Sequence, residues 1–498
     1  MIKFKQTLRS IKQSELDKAT NVIYLVKSTE RFSDDESLPY AQVIKERIKR
    51  YGKSNLYKDP LLCDLPNNKG SRITIAGTHP NNSSFERLTQ ARKLISKQLE
   101  SQPEELIIAL WDLDKTAQHR YVEAIAATIL ATTFQLPHYK SDVPPVKSVT
   151  KVSFFGLSQK ISLKHVQAIA DGNNLARKLT CLPSNKLTPK LFLDEVKQLA
   201  KEHQWQLDFL DLSVLKQKKA GAFLAVAQGS SSDDAGIVHL KYEPKGKRKR
   251  SQQRLALVGK GICYDTGGTN LKPSKSMYGM HEDMEGSAVA LGTFLALSQL
   301  EVDFTVDCWL ALSNNMIGPQ AYKQNDVITA LNGTTIEIVH TDAEGRMVLA
   351  DTLSLACELH PTFILDYATL TGSCVAALGT RYSGATTNRE EFVTEIINAG
   401  KRSGERVWPF PFDEDYDEEL ESQIADIKQC TLGNEADHIL GARFLNRFVN
   451  NTPWIHIDLS SGNHKGGLAH IPSDITGVGV SFTLNLLFEQ KILSKVES

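Results

Sequence analysis

The chain has little cysteine, no charge imbalance and no long apolar run, and each shortage removes a class of protein. Its 498 residues carry 58 Lys plus Arg against 58 Asp plus Glu, a formal net charge of zero. No bulk field therefore draws it to nucleic acid or to an anionic membrane. The opening MIKFKQTLRSIKQSE has no apolar signal core. No stretch reaches the roughly eighteen apolar residues that a membrane span requires. A cytoplasmic protein with no membrane association is the expectation. Seven scattered cysteines, an odd number, argue for reduced thiols rather than a disulfide framework. The phosphate-loop pattern is missing too, because in Gly259-Lys260-Gly261 a glycine follows the lysine. Nucleotide binding is not expected.

What is present is a hydrophobic content of 41% with 23% charged residues, and length enough for two or three ordinary domains. The most informative stretch is His340-Thr-Asp342-Ala-Glu344-Gly-Arg346, which sets two carboxylates and a guanidinium at alternate positions. Its complement lies upstream, from Lys260 through Asp265 to Lys272, followed by Asp283. Asp and Glu clustered without paired Cys or His ligands suit hard or borderline divalent cations. Four carboxylates oversupply one ion with negative charge, so two bridged ions are the economical reading. An Asp-x-Glu pair alone is more often a solvated strand edge or a helix start, and the flanking pattern changes that. Thr335–Val339 is strand-like and Met347–Cys357 reads as a buried helix, while Leu255–Val258 reads as a strand and Gly286–Ser298 as a helix. Two charged loops at two strand ends are where α/β folds place ligands.

The first 160 residues or so read as a separate α/β unit. Arg72–Ala76 and Leu106–Trp111 have strand character, Tyr121–Phe134 is helical, and Val149–Leu157 is a last strand. The Pro-containing stretch Lys140–Ser148 marks the boundary, and a helix from about Ser162 to Leu179 links to the remainder. The basic run Lys245–Arg250, between strand-like Ile237–Tyr242 and Leu255–Val258, reads as a solvated hairpin tip rather than a nucleic-acid contact. His456 and Asp458 alternate on a C-terminal strand and read as a buried structural pair. His464 and His470 stand in a Gly-rich loop, at the cleft border or in solvent.

These motifs resemble the cytosolic leucyl aminopeptidase family, dinuclear zinc or manganese exopeptidases. The family pattern N-T-D-A-E-G-R-L stands here as H-T-D-A-E-G-R-M, and G-K-G-x-x-[FY]-D-[ST]-G-G-x-x-x-K is matched from Gly259 through Lys272. A-T-L-T-G stands at Ala368–Gly372, with further matches at Asn174–Asn185, Gly221–Ser230 and Trp454–Asp458. The resemblance runs from about Leu163 to the C-terminus.

It implies an α/β catalytic domain (161–498) with a central mixed twisted sheet flanked by helices, and a smaller N-terminal α/β domain (1–160) that caps it and supports a homohexamer. The same resemblance implies one metal held by Lys260, Asp265, Asp283 and Glu344, and a second held by Asp265, Glu344 and Asp342. Zinc or manganese is expected, with magnesium or cobalt as alternatives. Substrates would be peptides with a free N-terminus and often a bulky, leucine-like first residue. Lys272 would stabilise the oxyanion, and Arg346 would hold a bicarbonate that acts as general base. Leu370 and Gly372 would offer backbone contacts, with Met280, His340 and Thr369 also at the first-residue pocket.

Several positions depart from the family pattern. His340 replaces the usual Asn and reads as a structural hydrogen-bonding histidine. Ser313-Asn-Asn315-Met316 stands for A-E-N-M, Lys323–Asp326 replaces an R-P-G-D turn, and Glu285 sits where a small residue is common. Cys263 has no assigned ligand role and reads as a small buried residue. A non-catalytic, DNA-binding or scaffolding hexamer is the competing reading, and the intact set of acidic and basic site residues argues against it.

Overall fold

The computed structural model describes residues 2–27, 38–53, 55–142, 149–230, 234–244, 251–433 and 435–496. The basic run Lys245–Arg250 and the end of the Pro-containing stretch lie outside them. By internal packing the chain forms two compact units, Met1–Gln167 with Ala469–Pro472, and Ala168–Leu468 with Ser473–Ser498. Among the described residues no helix is long and apolar enough to cross a membrane. All seven cysteines are free thiols, and Cys263 is buried.

Among its described residues the first unit holds six strands: β1 (Lys3–Gln6), β2 (Asn21–Lys27), β3 (Leu61–Asp64), β4 (Arg72–Thr78), β5 (Glu105–Trp111) and β6 (Lys151–Phe155). Their spatial order is β1-β6-β5-β2-β4-β3, with β3 the antiparallel edge on an otherwise parallel sheet. Side chains alternate across a strand, so β2 sends Ile23 and Leu25 into one apolar cluster and Val22, Tyr24 and Val26 into another. Helices Ser84–Leu99 and Lys115–Thr133 pack into the first of these.

In the second unit the strands are β7 (Gln206–Asp211), β8 (Gly236–Tyr242), β9 (Arg254–Asp265), β10 (Thr305–Asn315), β11 (Val327–Thr329), β12 (Thr335–Glu337), β13 (Phe363–Ala368), β14 (Ser383–Thr387), β15 (Val407–Pro409), β16 (Ile427–Lys428) and β17 (Trp454–Asp458). Eight of them form one mixed sheet, ordered β15-β14-β17-β13-β9-β10-β8-β7, whose central run β17-β13-β9-β10 is parallel. The short strands β11, β12 and β16 form a second sheet.

The central strands read as continuous apolar runs because both faces are covered. Leu255 and Leu257 of β9 enter the cluster that contains helix Glu285–Leu300, whereas Ala256 and Val258 enter the one that contains helix Glu344–Cys357. Strand β13 divides the same way, with Phe363, Leu365 and Tyr367 on one side and Ile364 and Ala368 on the other. The result is a three-layer arrangement. Each large aliphatic side chain buried in it contributes roughly 1.5–3 kcal/mol.

Strand β9 is much longer than the expected Leu255–Val258, since pairing with β10 continues through Lys260 to Asp265. Lys260 and Cys263 therefore sit on a strand and not in a loop. Small residues lower the hydropathy around Gly259 and Gly261, which hides the continuation in the sequence. One helix start is forced close to the sheet: a Cβ on Gly286 would lie 2.2 Å from the Tyr367 carbonyl oxygen. Gly286→Ala is therefore expected to lose about 1–3 kcal/mol of stability through overpacking, read as a lowered midpoint in urea unfolding. An unchanged midpoint would show that the helix can back away from β13.

Candidate metal centre and active-site cleft

The parallel strands end on a cluster of acids and lysines. Lys260 projects from β9 and Asp265 closes that strand, while Asp283 follows the short 3-10 turn Met280–Glu282. Glu344 opens the helix Glu344–Cys357, two residues after Asp342. Asp265, Asp342 and Glu344 each offer one oxygen within 4.8 Å of the others. Lys260 Nζ lies 2.8 Å from Asp283 and 2.9 Å from Glu344, and it also donates to the Thr369 carbonyl at 3.0 Å. Lys272 Nζ lies 2.9 Å from Asp265 and 2.5 Å from Asp342. All six side chains meet, including every proposed metal ligand.

The close fit has a sequence cause. A Cβ on Gly345 would stand 2.7 Å from Lys260 Nζ, so only glycine lets the helix start approach the lysine. Gly267, with φ of +86°, turns the chain so that its N–H donates to Asp265 Oδ1 at 2.8 Å. The loop is tied down by Thr341, whose hydroxyl donates to the Gly267 carbonyl at 2.6 Å and accepts from the Asn270 N–H at 2.8 Å.

Electrostatics follow from burial. Lys260, Asp265, Asp283 and Glu344 are each under a tenth exposed. Burial, then the charge of Asp265, raises Glu344 to about 8 and Asp342 to about 6. Burial pushes Asp283 up to about 6 against the pull of Lys260. On the lysines burial works downward, but the carboxylates outweigh it and hold both above their ordinary value. Four carboxylates face two ammonium groups, so the fully ionised cluster has an excess of negative charge. Oxygen donors, one amine and uncompensated negative charge fit divalent cations.

Lys260, Asp265, Lys272, Asp283 and Asp342 line a cavity of about 900 Å³ that Met280, His340, Thr369, Leu370 and Gly372 also line. His340 Nδ1 accepts from the Asp342 N–H at 3.3 Å, a structural bond that fixes the acid's backbone. The N–H of Leu370 donates to Asp458 at 3.0 Å. Thr369 donates to Asp283 at 2.6 Å. Arg346 is buried, with one guanidinium nitrogen donating to the Gln429 carbonyl at 3.0 Å and another to Asp437 at 2.8 Å, while its Nε has no partner among the described residues. Glu285, on the cavity wall, is held well above the ordinary carboxylate range by burial and then by the charge of Glu282.

Several contributors escaped the sequence reading. Asn315 donates to Asp265 at 2.8 Å, to the Thr341 carbonyl at 3.1 Å and to Glu344 at 3.3 Å. Its only signal was its place in a departing family stretch. Tyr322 donates to the Thr341 carbonyl at 2.8 Å, and Gln429 accepts from the His340 N–H at 3.2 Å. Nothing local marks Gln429, which comes from the short strand region far along the chain. His456 and Asp458 are both buried, but the histidine pairs with Asp366 at 2.7 Å rather than with its strand neighbour. The adjacent parallel strand β13 supplies that partner, which alternation within one strand could not reveal.

Carboxylates and lysines gathered at the carboxyl edge of a mixed α/β sheet define a metal-dependent hydrolase. Comparison with known proteins gives the family. Residues 174–484 match the family model described as the cytosol aminopeptidase family, catalytic domain. A "Probable cytosol aminopeptidase" of Azotobacter vinelandii is 36% identical over 424 residues, 82% of this chain and 84% of the relative. One from Prochlorococcus marinus is 38% identical over 371 residues, 73% of each chain. Among solved structures, a mutant of tomato leucine aminopeptidase superposes with a TM-score of 0.85 at 26% identity, over 98% of this chain and 97% of that one. The chain belongs to the cytosol aminopeptidase family, and it is a metal-dependent enzyme that hydrolyses the N-terminal residue from peptides.

Because Asn315 orients two of the acids, Asn315→Leu is expected to weaken divalent-metal affinity by about 10–100-fold. Isothermal titration of chelated protein with Mn²⁺ would measure it. Unaltered affinity would mean that Asn315 serves only to hold the loop.

Proposed function

We propose that this aminopeptidase works with two divalent ions and that Lys260, Asp265, Asp283, Asp342 and Glu344 hold them. The observation that carries this reading is the convergence of all five groups with Lys272 in one cluster, of which all but Glu344 line a single cavity. Lys260, Asp265, Asp283 and Glu344 would hold one ion, and Asp265, Asp342 and Glu344 the other, with Asp265 and Glu344 shared. Zinc or manganese suits the donor set, with magnesium and cobalt as further candidates. When bound, the ions supply Lewis acidity and lower the pKa of a water nucleophile. Lys260 must be neutral to act as a ligand, and nearby cations favour that form over the ammonium that now pairs with Asp283.

Asp283, anchored by Thr369, would receive the free amine of the substrate and so restrict cleavage to the first residue. Lys272 stays protonated beside Asp265 and Asp342 and offers a fixed positive charge to the developing oxyanion. Arg346 would hold a bicarbonate through its Nε, and such an ion, when bound, would supply a general base. The first side chain would lie against Met280, His340, Thr369, Leu370 and Gly372, a lining that accommodates a bulky leucine-like residue. We place the enzyme in the cytoplasm as a homohexamer, with the N-terminal unit supporting assembly.

A panel of aminoacyl-aminomethylcoumarins tests the reading, on chelated protein and after Mn²⁺ or Zn²⁺ is restored. Metal should restore turnover, and Glu344→Ala should abolish it under both conditions. Lys272→Met is expected to lower kcat by about 100–1,000-fold. Turnover that survives in Glu344→Ala, or in chelated protein, would contradict the assignment.

A further inference from the structure

A second acidic wall of the same cavity is left unused by this chemistry. Glu282 and Glu285 flank Asp283 in the chain, and both line the cavity together with Met280 and Asn463. Glu285 is 2% exposed, and its Oε1 has no hydrogen-bond partner among the described residues. Its other oxygen packs against Gly462, where a Cβ would lie 1.9 Å away. Glu282 accepts at 2.8 Å from Nδ2 of Asn463, another residue of the cavity wall. A buried carboxyl oxygen without a partner is costly to keep, and at a ligand cavity a donor carried by the ligand can supply the missing bond.

We propose that this wall is the far end of the first-residue pocket and that it selects a cationic side chain, lysine or arginine. The methylenes would run along Met280, and the ammonium or guanidinium would hydrogen-bond to Glu285 and Glu282. This inference rests on the aminopeptidase reading, because an amine anchored at Asp283 is what brings the first side chain beside its two neighbours. Leucine uses the apolar part of the pocket and leaves Glu285 unpartnered. An arginine satisfies it with a planar fork of donors. Acidic first residues would bring a further carboxyl group to a wall that offers no cation to pair with it, and be rejected.

The test compares kcat/KM for arginyl, lysyl, citrullinyl and leucyl aminomethylcoumarins on the Mn²⁺-loaded full-length enzyme. Citrulline matches arginine in shape but lacks its charge. The wild type should prefer arginine to citrulline by about tenfold or more, and Glu285→Gln should cut its arginine-to-leucine ratio by about tenfold. If Glu285→Gln does not fold, Glu282→Gln should cut the same ratio, and the wild-type arginine-to-citrulline ratio stands alone as a readout. Equal rates for arginine and citrulline, or an arginine-to-leucine ratio unmoved in a folded variant, would overturn the proposal. Good leucine turnover without an arginine advantage removes this inference alone. No turnover of any substrate removes the two-metal reading and this inference with it.

Discussion

Everything at the working end of this protein depends on one electrostatic constraint. Four carboxyl groups are held within bonding reach of two ammonium groups, in a place largely closed to water. Like charges so close oppose one another's ionisation, and burial removes the solvent that would relieve them. Lys260 and Lys272 answer part of that charge, and the remainder is the physical reason for a cation site. The raised positions of Asp283, Asp342 and Glu344 on the pH scale express the same tension.

Holding such a cluster together requires a rigid frame, and the three-layer domain provides it. Strand β9 is buried on both faces and carries Lys260 and Asp265 on one stiff element. The helix starts that bring Asp283 and Glu344 come close because Gly286 and Gly345 have no side chains. Asn315, Thr341 and Gln429 then fix the acids and their loop by hydrogen bonds. An outer set of hydrogen bonds of this kind usually governs metal affinity as much as the ligands do.

The residues proposed as ligands stood out in the chain because their types and spacings are themselves the chemistry. Asp342 and Glu344 on either side of Ala343, and Lys260 with Asp265, stand in motifs too long to arise by chance. The α/β class was equally readable, since its strands are apolar runs and its helices are long, whereas the mixed sheet was implied by the family resemblance. What stayed hidden depends on contacts distant in sequence. Gln429 and Asp366 acquire their roles only when separate strands align. The true length of β9 was masked by glycines that break the apolar pattern while the backbone pairing continues. Glu285 stood out as a departure, but only its burial without a hydrogen-bond partner gives the departure a meaning.

The central claim is that the excess negative charge is balanced by two ions that share Asp265 and Glu344. Anomalous diffraction at the manganese edge, on crystals grown with Mn²⁺, tests it directly. The account predicts two peaks per chain, both in contact with Asp265 and Glu344, with Lys260 Nζ released from its pairing with Asp283 to ligate one of them. A single peak, or two peaks with Lys260 still paired to Asp283, would contradict it.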